Sequence, residues 1–262
     1  MRLASALLLL AVAALPLGAC GDKTSSDDTP TLRFSAIPGE KATKLKEKFS
    51  LFGDYLAKEL GVPVEYVAAA DYPASVSMFA NGDIQLAWFG GLTGVQARTK
   101  VAGAHAIAQG AEDPEYFSYF IAHKDSGIEP SDDFPAALAG KRFTFGSPSS
   151  TSGRLMPEHF IRGATGKSPE DFFGHPNVYS NAHDKTAKNV ESMASDAGAL
   201  SYKTYDKMVA NGELDPKVCR VVWKTPFYAD YNFTAHPALE EMYGEGFTEK
   251  LKAAILRYAD KD

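Results

Sequence analysis

Gly146-Ser147-Pro148-Ser149-Ser150-Thr151-Ser152-Gly153-Arg154-Leu155-Met156-Pro157 is the stretch on which the reading of this chain turns. Arg142-Phe143-Thr144-Phe145 enters it with the alternation of a short strand, and His159, Phe160 and Ile161 leave it as a helix. A hydroxyl-rich turn between a strand and a helix gathers unpaired backbone N–H groups and the positive end of a helix dipole, a ready site for an anion. Ser150, Thr151 and Ser152 add up to three hydroxyl donors at that point. The same residues also suit a Ser/Thr cap followed by a flexible turn, so the surrounding chain has to decide.

Upstream, strand and helix patterns alternate from Thr31 onward. Leu32 to Ile37 reads as a strand ending at Pro38, and Leu45, Phe49, Phe52, Leu56 and Leu60 recur as one face of a helix closed by Gly61. Strands follow over Val62 to Val67, Ile84 to Phe89 and His105 to Ala108, with helices over Tyr72 to Phe79 and beyond Gly90-Gly91. Tyr116 to Ala122 reads as an extended crossing into a second unit. There the alternation resumes: a helix over Phe134 to Leu138, the strand at Phe143, and a strand over Asn177 to Tyr179 before a helix from His183 to Met193. A strand at Gly198 to Leu200 then leads into a helix over Tyr202 to Val209. Val218 to Trp223 reads as a returning strand, and Phe247, Leu251, Ala254, Ile255 and Tyr258 form a closing amphipathic helix. Such alternation implies mostly parallel α/β sheets. The organisation expected is lobe 1 over residues 31–122, completed by 224–262, and lobe 2 over 123–223. Ligands of open α/β sheets sit beyond the carboxyl ends of strands, which here face a cleft between the lobes.

Residues 1–20 stand apart from the fold. Arg2, the apolar run Leu7 to Leu15 and the small residues before Cys20 make a secretory signal too short to span a bilayer. Removal of residues 1–19 takes Arg2 with it and moves the net charge from −6 to −7. That balance argues against broad nucleic-acid binding but leaves room for a small anion held by local donors. Residues 21–30 are polar and read as a flexible tether. Cys20 and Cys219 are the only cysteines; Cys219, inside an apolar run, reads as a buried small hydrophobe, and no disulfide or cysteine metal site is expected. Enzyme patterns are missing: there is no G-x-S-x-G elbow, no P-loop order and no H-E-x-x-H among the six histidines. No metal and no cofactor are expected.

Several segments together carry a family resemblance: Asp71-Tyr72, Leu86-Ala87-Trp88-Phe89-Gly90, Ser150-Thr151-Ser152-Gly153 and His183-Asp184-Lys185-Thr186. In that order and spacing, the chain from about Leu32 to Tyr258 resembles periplasmic binding proteins of phosphate, phosphite and phosphonate ABC importers, which have the two-lobe type II binding-protein fold. The strings Trp88 to Arg98 and Ser149 to Pro157 look most like a subgroup assigned to selenate import. Leu17-Gly18-Ala19-Cys20 resembles a bacterial lipobox, which implies lipidation of Cys20 and anchorage to a bacterial membrane in the periplasm or at the cell surface. The resemblance implies a monomeric solute-binding lipoprotein that captures a tetrahedral oxyanion and delivers it to an ABC permease and its ATPase. The rival is a sensor subunit presenting the ion to a membrane histidine kinase.

By the same resemblance, Ser150, Thr151, Ser152 and His183 would donate to the oxyanion, and Tyr72 would add a phenol or an aromatic wall. Phe89, Ser201 and Tyr202 complete the candidate ligand-binding set. Many phosphonate-binding relatives carry Tyr in place of Phe89 and Asp in place of Ser201, so the cleft is expected to lack an acceptor for a proton carried by the ligand. Selenate-type dianions, which carry no proton at neutral pH, would then bind more tightly than phosphonates. Asp184 could orient His183, serve as the acceptor or favour its helix start. Tyr228, Tyr231 and Asn232, in the aromatic segment Thr225 to Phe233, could line the cleft or pack as a hinge.

Overall fold

The computed structural model describes residues 29–258. The signal segment, the lipobox with Cys20 and all but the end of the tether lie outside the described residues.

Two five-stranded mixed sheets make up the architecture. The first has the order β2-β1-β3-β10-β4, with β1 Leu32–Ala36, β2 Val64–Tyr66, β3 Leu86–Phe89, β4 His105–Ala108 and β10 Asn232–Ala235. The second has the order β7-β6-β8-β5-β9, with β5 Ser118–His123, β6 Phe143–Phe145, β7 Val178–Tyr179, β8 Ala197–Ser201 and β9 Cys219–Lys224. In each sheet one strand runs against the rest: β10 is antiparallel to β3 and β4, and β5 to β8 and β9. Those are the strands that follow the two crossings between the sheets.

The first crossing lies earlier than residue 122, because Ser118–His123 pairs along its whole length within the second sheet. The second ends in β10, which the sequence reading did not separate from its aromatic surroundings. The two connections are tied by a two-residue antiparallel bridge, with the Tyr116 N–H donating to the Tyr228 carbonyl at 2.9 Å and the reverse bond at 2.8 Å.

Each sheet is covered on both faces, as near-continuous apolar strands require. In β3, Leu86 and Trp88 pack with α1 (Ala42–Leu60) and α9 (Phe247–Tyr258), and Ala87 and Phe89 pack with α2 (Tyr72–Ala80) and α3 (Gly91–Lys100). The second sheet is covered by α4 (Met156–Thr165) and α5 (Pro169–Phe173) on one face and by α6 (His183–Glu191) and α7 (Tyr202–Ala210) on the other. The short α8 (Ala238–Tyr243) packs beside α9. Phe134 to Leu138, expected as a helix, holds only a 3-10 turn over Ala136–Leu138. Cys219 is buried and free, packed between Tyr205 and Val190 in the α6–α7 core.

The helices α2, α3, α4, α6 and α7 all begin shortly after a strand of their sheet, so their amino ends gather at the cleft between the sheets. The hydrogen bond from the His183 N–H to the Gly39 carbonyl (3.0 Å) and that from the Leu92 N–H to Thr151 Oγ1 (3.0 Å) join the two halves directly. Ion pairs at the rim, Lys44 with Glu213 and Lys207 with Glu40, do the same. Partly exposed pairs of this kind contribute at most about 1 kcal/mol each, so the rim adds little to what holds the halves together.

Candidate functional site

The hydroxyl-rich turn folds as a single π-helical turn, Thr151–Leu155, ahead of α4. Pro157 explains part of this. It has no N–H to give the Gly153 carbonyl four residues back, and that carbonyl instead accepts from the Gly146 N–H at 2.8 Å. The loop thereby closes on itself. Ser150 caps it, its Oγ accepting from the Gly153 N–H at 2.9 Å, so this hydroxyl's lone pair is used locally while its proton remains available.

His183 opens α6 from the same half of the molecule. Its ring lies between two glycines, one from each half. A Cβ at Gly39 would stand 3.3 Å from His183 Cδ2 and 3.1 Å from the Tyr72 hydroxyl; one at Gly153 would stand 3.1 Å from His183 Cε1. Only glycine lets the imidazole and the phenol close this far. His183 Nδ1 accepts from the Ser201 N–H at 3.3 Å, which leaves the ring proton on Nε2. Burial lowers the imidazole pKa to about 4, so at neutral pH the ring is uncharged and Nε2 is a donor. That atom is buried and has no partner; the Tyr72 hydroxyl is likewise buried with no hydrogen bond of good geometry, the Ser150 hydroxyl being its polar neighbour. Buried donors of this kind are rarely left unsatisfied. Both lie against Gly39, one from each half of the molecule.

One acid that the sequence reading passed over is Asp230, between Tyr228, Tyr231 and Asn232. It is buried on the second connection, and its Oδ1 accepts from the Gly91 N–H at the start of α3 (2.8 Å). Burial is the main cause that raises its carboxyl to about 6, partly offset by hydrogen bonds from the Gly91 N–H and the hydroxyls of Thr151 and Ser152. The amino ends of helices from both halves therefore converge on one carboxylate. Burial pushes the hydroxyls of Tyr72, Tyr116, Tyr228 and Tyr231 up from their ordinary pKa, with a smaller contribution from the charge of Asp230 and, at Tyr72, an opposing hydrogen bond from Ser150, keeping them protonated.

Beside His183 lies a cavity of about 160 Å³, lined from the first half by Ile37, Gly39 and Trp88, from the second by His183 and Ser201, and from the connections by Asp113, Tyr116 and Tyr231; Tyr72, Ser150, Thr151 and Ser152 are not in its lining. The carboxylates that line the cavity are Glu40 and Asp113. Ser201 lines it too, its hydroxyl bonded to the Tyr116 hydroxyl, while Asp230 lies outside this lining, beside Gly91 and Thr151.

The remaining candidates fall into place around this centre. Phe89 is buried in the α2–α3 core against Phe79 and does not line the cavity; its neighbour Trp88, on the opposite face of β3, does. The ring of Tyr202 stacks on Phe117 at 3.9 Å and its hydroxyl donates to Glu112 at 3.1 Å, so it braces the first connection rather than facing His183. Asp184 accepts from the Lys185 N–H at 2.9 Å and makes no bond to His183. Tyr228 shares a hydrogen bond of 2.5 Å with the Ser118 hydroxyl, and Tyr231 stacks on Trp88. Asn232 is structural: its Oδ1 accepts from Arg98 (3.2 Å) and Thr234 (2.7 Å). The signal that would have found Asp230 is a lone acid inside an aromatic run, since aspartate is seldom buried without a partner.

The chain is similar to known proteins over most of its length. Residues 34–262 match the family model described as ABC transporter, phosphonate, periplasmic substrate-binding protein. The chain is 40% identical over 227 residues to a probable ABC transporter phosphite binding protein, PhnD1, of Prochlorococcus marinus, covering 86% of this chain and 76% of that one. It is 31% identical over 250 residues to the phosphate-import protein PhnD of Mycolicibacterium smegmatis, covering 90% and 75%. The crystal structure of the Prochlorococcus protein in complex with methylphosphonate superposes with a TM-score of 0.82 at 39% identity, over 86% of this chain and 84% of that one. A binding-protein component of an ABC phosphonate transporter from Pseudomonas aeruginosa shares the fold, with a TM-score of 0.71 at 22% identity over 87% of this chain and 80% of that one. The chain belongs to the phosphonate-binding family of periplasmic ABC-transporter substrate-binding proteins, with the type II binding-protein fold.

Proposed function

We propose that this protein captures a small phosphorus oxyanion, phosphite or a small phosphonate, in the cleft between its two lobes and delivers it to an ABC permease and its ATPase. The observation that carries this reading is the pair of unpartnered buried donors, His183 Nε2 and the Tyr72 hydroxyl, one from each lobe and both close to Gly39. An oxyanion between them satisfies both at once and draws the lobes together, which is the hinge closure such proteins use. Ser150, Thr151 and Ser152 would donate from the helix start, and Asp230 would accept the proton that phosphite and phosphonates can keep on oxygen. That acceptor favours the phosphorus anions over selenate, whose oxygens all want donors, and so reverses the order expected from the sequence. No observation favours a sensory role over delivery.

Calorimetric titration with methylphosphonate tests the assignment. Tyr72→Phe and His183→Leu are each expected to weaken binding by about tenfold or more, since a hydrogen bond to a charged group is worth roughly 1.5–3 kcal/mol. Unchanged affinity in both, with the fold intact, would place the ligand elsewhere.

The lipobox ending at Cys20 supports a lipid anchor on the cell's outer or periplasmic side. Metabolic labelling with a fatty-acid probe is expected to mark wild type and to leave Cys20→Ser unmarked. A wild type that is unmarked and released in soluble form would remove the anchor.

A further inference from the structure

Beside the cavity at His183 lies a second one of about 410 Å³. Lys48, Phe49, Trp88 and Lys203 line both, so the two are neighbours across a shared wall of side chains. A ladder of rings runs from one to the other. Tyr116 meets Tyr231 at 5.3 Å, Tyr231 stacks on Trp88 at 5.4 Å, and Trp88 meets Phe233 at 4.5 Å. Phe233 then stacks on Phe52 at 5.3 Å, and Phe52 meets Tyr258 at 5.1 Å. The polar end of this path is the cleft of His183 and Ser201; the far end, at Phe233, Ile255 and Tyr258, is apolar. Positive charge sits where the cavities meet, from Lys48 and Lys203, with Asp113 and Glu40 facing them from the inner side. The acids are not left to repel an anion unopposed, since Asp113 pairs with Lys203 and Glu40 with Lys207.

We propose that the outer cavity is a subsite for the organic group of a substituted phosphonate, an apolar and preferably aromatic substituent lying along the Trp88–Phe233–Tyr258 wall while the phosphonate head occupies the inner cleft. The proposal rests on the oxyanion reading above, and it extends the ligand class from phosphite-sized anions to aryl-bearing ones. Ring faces of this kind offer area and shape to a flat group at little entropic cost. A charged head held by directed donors with an apolar body on a hydrophobic wall is the usual division of labour in small-molecule sites.

Titration calorimetry with methylphosphonate and with 2-phenylethylphosphonate separates the two readings. In wild type the aryl ligand is expected to bind within about tenfold of methylphosphonate or more tightly. Tyr258→Ala and Phe233→Leu, both outside the inner cleft, are expected to weaken the aryl ligand about fivefold or more while methylphosphonate stays within about twofold. Phe233→Leu keeps an apolar side chain in the sheet, and Tyr258 lies at the end of α9, so a folding defect in one variant leaves the other informative. If methylphosphonate binds and the aryl ligand does not, or if the variants weaken both ligands alike, the subsite is overturned and the oxyanion reading stands. If neither ligand binds wild type, both fall.

Discussion

Relative to wild type, the unfolding free energy of ligand-free Asp230→Asn is expected to fall as the pH drops from about 6.5 to about 4, and that of His183→Gln to rise over the same window. Both groups are buried, and they are shifted in opposite senses. The carboxyl of Asp230 is raised from 3.8 to about 6, so the folded protein binds this proton more tightly than the unfolded chain. Its contribution to stability is fully present below about 4 and is lost as the pH rises through about 6. The imidazole of His183 is lowered from 6.5 to about 4, so the folded protein holds it neutral. Its contribution is fully present above about 6.5 and is lost as the pH falls toward 4. Each change corresponds to about 3 kcal/mol by linkage, and in wild type the two slopes largely offset each other. Removing one group exposes the slope of the other. Urea unfolding of the three proteins at several pH values across the window measures this, and two variants that both track the wild-type profile would contradict the burial assigned to these side chains.

Asp230→Asn is also expected to shift ligand preference by about a hundredfold or more. At neutral pH the carboxylate accepts the oxygen-borne proton of a hydrogen phosphonate and repels an anion that has none. The amide loses the charge-assisted bond, worth roughly 1.5–3 kcal/mol, and also removes the repulsion, so the two effects add in the ratio of affinities. The methylphosphonate-to-selenate ratio should therefore collapse in the variant, chiefly by a loss of methylphosphonate affinity and in part by a gain for selenate. A ratio that does not change would show that Asp230 only ties the Gly91 N–H and the Thr151 and Ser152 hydroxyls together and takes no part in choosing the ligand.

Much of the architecture was legible because period and composition agreed. Phe49, Phe52 and Leu56 mark one face of α1, and the buried run Leu86–Phe89 could only be a strand covered on both faces. The strand–turn–helix around Ser150 was equally plain. What escaped were features set by the tertiary fold. Asn232–Ala235 is four residues long and continues an aromatic segment, so nothing local marks it as a strand; pairing with β3 and β4 makes it one. Phe89 and Trp88 are neighbours in sequence, and only the side-chain alternation of a strand within this sheet decides which of them meets the cleft. Asp230 was missed for a related reason. The sequence points to Ser201 on β8 as the position of interest, whereas Asp230 stands on the second connection, tied to the Gly91 N–H. His183 and Tyr72 are singled out by the family pattern, but their shared closeness to Gly39 appears only in the folded chain.

The measurement that bears most directly on the central claim is a crystal structure of the protein grown with phosphite or methylphosphonate. The account predicts one anion between the lobes, with oxygens within hydrogen-bond distance of His183 Nε2 and the Tyr72 hydroxyl and a third facing the Asp230 carboxylate. An anion bound at another surface, with these two donors still unpaired in a closed cleft, would contradict it.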